Sequence, residues 1–313
     1  MSSITLEQAI FVRSRDGRSP SASPGFQDIW FNRADEIMTA FGTPTGDLPS
    51  FAAMFATRFD KQHVAVVQVS LSESVNAGGV PSFRFLLIQR EDYLRIGGDC
   101  FGLADRFPIP PNNPRELPRL QVDEALPQPG VQDVKTQLQH AEIGPVLLGA
   151  AQALVDGAKV VFEQPEPDTR LLRNLWAMLP RSTRCDLWPA SFTFGNQIGF
   201  DVAVTPRADA SEYAGYVRGQ QIADYPLGTY ERNLHVAIDA ADQGELDRLL
   251  SRRSRKETWR LAWLILLIVP ILALVGNMLT PPPAPKLKKT ATDQKLLPQR
   301  QKLQTDIHDK ESS

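Results

Sequence analysis

Histidine and cysteine are scarce in this 313-residue chain, with four of the first and two of the second. Cys100 and Cys185 cannot staple a disulfide-dense scaffold, so the fold must rest on an apolar core. Neither has a histidine within several residues, and each reads as a small buried hydrophobe in preference to a nucleophile. His63, His140, His235 and His308 are too far apart for a local metal-ligand pattern, and no metal or cofactor is expected. A phosphate-binding glycine loop is missing too: its nearest approach, residues 149–159, has the wrong spacing and helical composition. The nucleophile elbow G-x-S-x-G and the zinc motif H-E-x-x-H are absent. No motif spells out a reaction, so the sequence leans away from an enzyme. With 34 basic against 36 acidic side chains and a net charge of -2, the chain offers no basic field to hold nucleic acid. The amino terminus lacks the basic start and apolar stretch of a signal peptide, so the large N-terminal part is expected to be cytoplasmic.

What is present is unevenly placed. Residues 1–251 carry 22 Lys/Arg and 31 Asp/Glu, a net of -9; residues 252–260 carry five basic and one acidic side chain; residues 281–313 carry seven and four. Between the two basic stretches, residues 261–279 contain no charge. As a helix rising about 1.5 Å per residue, that run would be roughly 28 Å long, close to the roughly 30 Å hydrocarbon layer of a bilayer. Trp259 and Trp263 fall where interfacial aromatics belong, and prolines 281, 282, 283 and 285 would end the helix. The sequence therefore predicts one transmembrane helix at 261–279 that contacts the lipid bilayer. A basic collar precedes it at 251–260, with Arg252, Arg253, Arg255, Lys256 and Arg260 on the cytoplasmic side, and a flexible extracytoplasmic tail follows at 280–313.

In the body, residues 1–250, the pattern predicts a short strand at 9–13 and a helix capped by Asp28 and ending near Gly42. A Val-rich strand at 63–71 and a second β run at 83–89, FRFLLIQ, read as an antiparallel hairpin. The proline-dense stretch 107–130 reads as an extended connector without regular elements, where a subdomain break is placed. Helices at 131–140 and 145–155, a strand at 159–163 and a helix capped by Asp168 and stopped by Pro180 come next. A second hairpin at 192–205 and a helix over 230–250 complete the body. Separate runs of strands and helices give the expected fold class: an α+β cytoplasmic body with antiparallel hairpins packed on helices, then one transmembrane helix and a disordered tail.

The densest chemistry lies in residues 180–201. Arg181, Arg184, Trp188, Ser191, Asn196 and Asp201 are candidates for an anion or partner site, with Arg181, Arg184, Ser191, Asn196 and Asp201 as the set from which a catalytic site would be assembled. The same residues are compatible with a structural corner in which Gly195 and Gly199 turn the chain while Trp188 and Phe192 fill the core. A second patch, residues 13–26, offers three arginines in a Ser/Pro/Gly loop.

The runs SRDGRSPSASPGF, HVAVVQVS, FRFLLIQR, LLGAAQALVDGAKVVF and WPASFTFGN together resemble uncharacterised bacterial membrane proteins of planctomycete type. More distantly, ASPGF and the arginine-serine-phenylalanine region resemble the N-terminal domain of bacterial GTPase-associated proteins. The second resemblance implies an adaptor role within a GTPase-linked signalling or conflict system and transfers no catalytic residue. The expected function is a membrane-tethered cytoplasmic interaction module with a protein partner; the alternative is a membrane-attached enzyme.

Overall fold

The computed structural model describes residues 3–12, 20–42, 51–72, 80–110, 116–122, 129–141, 143–251, 266 and 268. By its contacts the chain divides into two units, Met1–Glu257 and Thr258–Ser313. The first begins with strand β1 (Ile4–Val12), the short β2 (Ser21–Ala22) and helix α1 (Asp28–Ala40). Strands β3 (Phe51–Arg58), β4 (His63–Ser72) and β5 (Val80–Gln89) follow, then helices α2 (Arg90–Arg95) and α3 (Cys100–Arg106) and strand β6 (Leu120–Val122). Its second half runs α4 (Val131–Leu138), α5 (Gly144–Asp156), β7 (Val160–Glu163), α6 (Thr169–Ala177), α7 (Arg181–Asp186), β8 (Pro189–Ala190) and β9 (Val202–Thr205). It ends with β10 (Val217–Arg218), α8 (Gln220–Ala223), α9 (Thr229–Asp239) and α10 (Gln243–Leu250).

The strands form one sheet in the order β10-β7-β9-β8-β3-β4-β5-β1-β2, with β6 also on β1. Strands β4 and β5 pair antiparallel in the register Val66↔Leu86, as the Val-rich run of one and the aromatic and aliphatic run of the other predict. Period-two alternation then sorts their side chains. Phe83 and Phe85 face α1, where Phe41 meets Phe83 at 5.6 Å and stacks on Phe55 at 5.3 Å. Arg84 points to the opposite face, only 5% exposed, among carbonyls. Its guanidinium donates to Gln8 Oε1 (2.7 Å), Phe107 O (2.7 Å) and Pro108 O (2.6 Å), while Gln8 Nε2 donates to Pro118 O (2.7 Å). A buried cation without a carboxylate is costly, and burial pulls the Arg84 pKa down to about 10. The carbonyl cluster offsets part of that cost and clasps the start and the middle of the proline-rich connector to the sheet. That connector is not devoid of regular structure, since its residues 120–122 are β6, paired with β1 at Ile4↔Val122.

The expected fold class needs correction in two respects. First, the sheet is mixed. Strands β10, β7, β9 and β8 run parallel to one another, and β8 joins the antiparallel half through Phe55↔Ala190. The hairpin expected over 192–205 does not form. Past Ala190 the chain continues beside β9 as far as Thr193, whose N–H reaches Val204 O at 3.0 Å. It then returns through a turn at Gly199 (φ 81) to enter β9 from the same end as β8. Alternating apolar residues around a glycine turn satisfy either arrangement locally; the ladder of β7 with β9 selects the parallel one. Second, no helix among the described residues is long and apolar enough to cross a membrane. The longest, α1 and α5, have 13 residues each, about 20 Å at the α-helical rise against roughly 30 Å of hydrocarbon. Of the run 261–279 only Leu266 and Ile268 are described, both helical and exposed. The remainder of that run, collar residues Arg252, Arg253, Arg255, Lys256 and Arg260, and the tail 280–313 lie outside the described residues.

Smaller differences have local causes. The helix expected over 230–250 is two, broken where Ala241 adopts φ 51 and Asp242 accepts from Glu245 N (3.0 Å) to cap α10. Asp28 is the first residue of α1, not its cap, and Gln27 precedes it in extended conformation. Asp168 does cap α6, accepting from Leu171 N at 2.7 Å.

Candidate functional site

Helix α1 buries Trp30, Ala34, Ile37 and Met38 on one face. Along the edge of that face, Arg33, Glu36, Ile37 and Ala40 recur at helical spacing and form one wall of a groove of about 510 Å³. The end of β3 and the following turn supply its floor through Thr57, Arg58, Phe59, Asp60 and Lys61. Its other wall is Trp188, just before β8, together with Gln197 and Ile198 from the segment between β8 and β9. The volume lies within the roughly 300–1,000 Å³ of ordinary ligand sites.

Charge around the groove is unequally committed. Glu36 pairs with Arg33 Nη1 at 2.7 Å, and Arg33 Nε donates to Phe59 O at 2.9 Å. Asp60 accepts from Gln62 N and His63 N, both at 2.7 Å, and from His63 Nδ1 at 2.9 Å. Burial alone would push the Asp60 carboxyl up. The Gln62 and His63 N–H groups and the His63 ring outweigh it and hold the carboxyl below its ordinary value. Both carboxylates are thus engaged within the protein. Arg58 donates its Nε to Asp60 O at 3.1 Å, and neither Arg58 nor Lys61 forms an ion pair among the described residues. The arrangement offers exposed cationic donors opposite a partly apolar wall of half-buried Trp188 and Ile198, which suits an anionic group attached to something greasy.

Of the residues singled out in 180–201, the structure brings only Trp188 to this groove. Its indole stacks on Tyr93 (6.4 Å, 22°), the Trp188 backbone N–H donates to Asp201 Oδ2 at 3.0 Å, and Asp201 Oδ1 meets Lys159 Nζ at 3.3 Å. Asp201 therefore positions a groove wall. Asn196 holds the neighbouring residues Gln197 and Ile198: its Nδ2 donates to Tyr216 Oη (2.7 Å) and its Oδ1 accepts from Phe200 N (2.8 Å). Ser191, fully buried, exchanges bonds with β3: Met54 N donates to Ser191 Oγ and Ser191 N to Met54 O, each at 2.8 Å. Arg181 and Arg184 belong to α7, outside the groove lining. Arg181 donates to Arg95 O at 2.9 Å. Arg184 is 3% exposed with Nε and Nη2 lacking hydrogen-bond partners among the described residues, and burial lowers its pKa. Its backbone lies against Gly98 (φ 68), where an added Cβ would come within 2.7 Å of Arg184 C and Cys185 N, so only glycine lets α7 pack there. Cys100 and Cys185 are buried and not joined in a disulfide, and burial pushes the Cys100 thiol well up. Of the patch 13–26, the arginines Arg13, Arg15 and Arg18 lie outside the described residues.

Sequence reasoning missed Arg33, Arg58 and Lys61. Arg33 was detectable as the polar edge of a recognised helix, whereas Arg58 and Lys61 depend on β3, whose Ala-rich sequence FAAMFATR lacks a β-branched run and carries little strand signal. Comparison with protein-family models, curated proteins and solved structures finds no match to this chain.

Proposed function

We propose that the body is an interaction module that seats a segment of a partner protein in the groove between α1 and Trp188, and that the apolar run 261–279 with its basic flank brings the module to a lipid surface. The observation that carries the reading is the pair of exposed cations, Arg58 and Lys61, which have no carboxylate partner among the described residues, beside a groove whose own carboxylates are engaged. Confinement at a surface raises the effective concentration of partners held there without any added contact, which suits a module whose groove is open and of modest size. The resemblance of the ASPGF region to GTPase-associated proteins supports a partner within a GTPase-linked signalling or conflict system. The test is affinity capture from solubilised membranes with the wild-type chain and with the double variant R58E/K61E. A partner recovered with the wild type and lost with the variant, at unchanged melting temperature, is expected. Equal recovery by both would refute the groove as the contact.

A further inference from the structure

We infer that the groove recognises carboxylate side chains of an acidic, partly apolar peptide segment, and that Glu36 is an internal competitor which such a carboxylate displaces from Arg33; this rests on the groove being the contact site. Glu36 and Arg33 form an i, i+3 pair at the rim, with side chains 65% and 45% exposed, so their mutual hold is weak and open to exchange. Arg33 is otherwise fixed, because its Nε donates to Phe59 O at 2.9 Å, which keeps the guanidinium at the groove edge when Glu36 leaves. Across from it, Arg58 is anchored through Nε to Asp60 O at 3.1 Å, and Asp60 is tied to the turn by three donors. Arg33 and Arg58 are therefore held in place before any ligand arrives, which reduces the entropy lost on binding. The far wall carries half-buried Trp188 and Ile198, so an apolar side chain beside the carboxylate also finds a surface to cover. A bare anion would leave that surface wet. A peptide with alternating acidic and apolar residues satisfies both parts.

This arrangement makes removal of a negative charge strengthen binding, an effect that a merely structural Glu36 would not produce. The full chain in nonionic detergent is titrated with a blocked hexapeptide of alternating glutamate and leucine, and with its glutamine counterpart, by isothermal calorimetry. Wild type binds the glutamate peptide in preference to the glutamine one, E36Q binds it about twofold tighter or more, and R58E/K61E loses it. Equal affinity for the two peptides, or no gain with E36Q, overturns carboxylate exchange while leaving the groove as the contact. Undiminished binding by R58E/K61E overturns the groove as well. Binding of anionic vesicles, and not of the peptide, by the wild type would assign the cations to lipid and also defeat the proposal. Circular dichroism of each variant confirms that a lost signal is not lost folding.

Discussion

Ser191 is a polar residue whose chemistry is spent on architecture. Its Oγ accepts from Met54 N and also from Thr169 Oγ1 at 3.1 Å, so one hydroxyl ties β3 to the start of α6 where the antiparallel and parallel halves of the sheet meet. Replacing it with alanine leaves the Met54 N–H buried and unpaired, at about 1–3 kcal/mol. Ser191→Ala should therefore lower the melting temperature by several degrees, on the scale of about 2–4 °C per kcal/mol for a body of this size. A melting curve that overlays the wild type would show that the bond carries no weight. Gly25 illustrates the same principle in the ASPGF segment. An added Cβ would lie 2.0 Å from Glu7 Oε1, because the Gly25 N–H (3.1 Å) and the Ser23 hydroxyl (2.6 Å) both converge on that carboxylate. Glu7 in turn pairs with Arg119 at 2.7 Å, so the segment reads in the structure as a turn wrapped around a side chain of β1.

At the level of the element, the turn from Phe59 to His63 decides whether Arg58 and Lys61 are presented to the groove. Phe59 N and Asp60 N both donate to His63 O, and the Asp60 carboxylate closes the turn from the other side. The folded-state pKa of Asp60 is depressed below its ordinary value, so its contribution to stability is fully present above pH 4 or thereabouts and is lost as pH falls through the folded value. Asp60→Asn should flatten the acid side of the stability profile and, at neutral pH, weaken capture of the groove ligand. Thermal melts between about pH 2 and pH 7 test this; an unchanged acid limb would mean that other carboxylates govern it. The elements also differ in how visible they were beforehand. Strands β4 and β5 and helices α5 and α6 announce themselves through valine content, apolar run and cap. Strand β3 and the short helices α2, α3 and α7 do not, because their residues satisfy neither period over enough length.

For the molecule as a whole, the contrast between an acidic body and a basic groove rim sets the behaviour of partners. Residues 1–251 carry a net of -9, which repels an acidic protein from most approaches, while Arg33, Arg58 and Lys61 attract it at one place. Orientation on encounter should thus be selected by charge, and capture should weaken with salt. Raising ionic strength from about 0.05 to about 0.5 M shortens the screening length several-fold and should reduce partner recovery steeply for the wild type and little for R58E/K61E. Recovery independent of salt would place the binding energy elsewhere.

By itself the sequence determined the division of charge along the chain, the apolar run at 261–279, the α+β character of the body and the strongly periodic elements. All of these depend on residue type and spacing over short range. Only the tertiary structure decided that β8 and β9 run parallel and that Ser191 and Asn196 serve as internal fastenings. It also decided that the groove is assembled from α1, the end of β3 and the segment before β9. Arg33 and Lys61 meet Trp188 from more than a hundred residues away, and that proximity is set by long-range ladders and core packing, which local propensity does not encode.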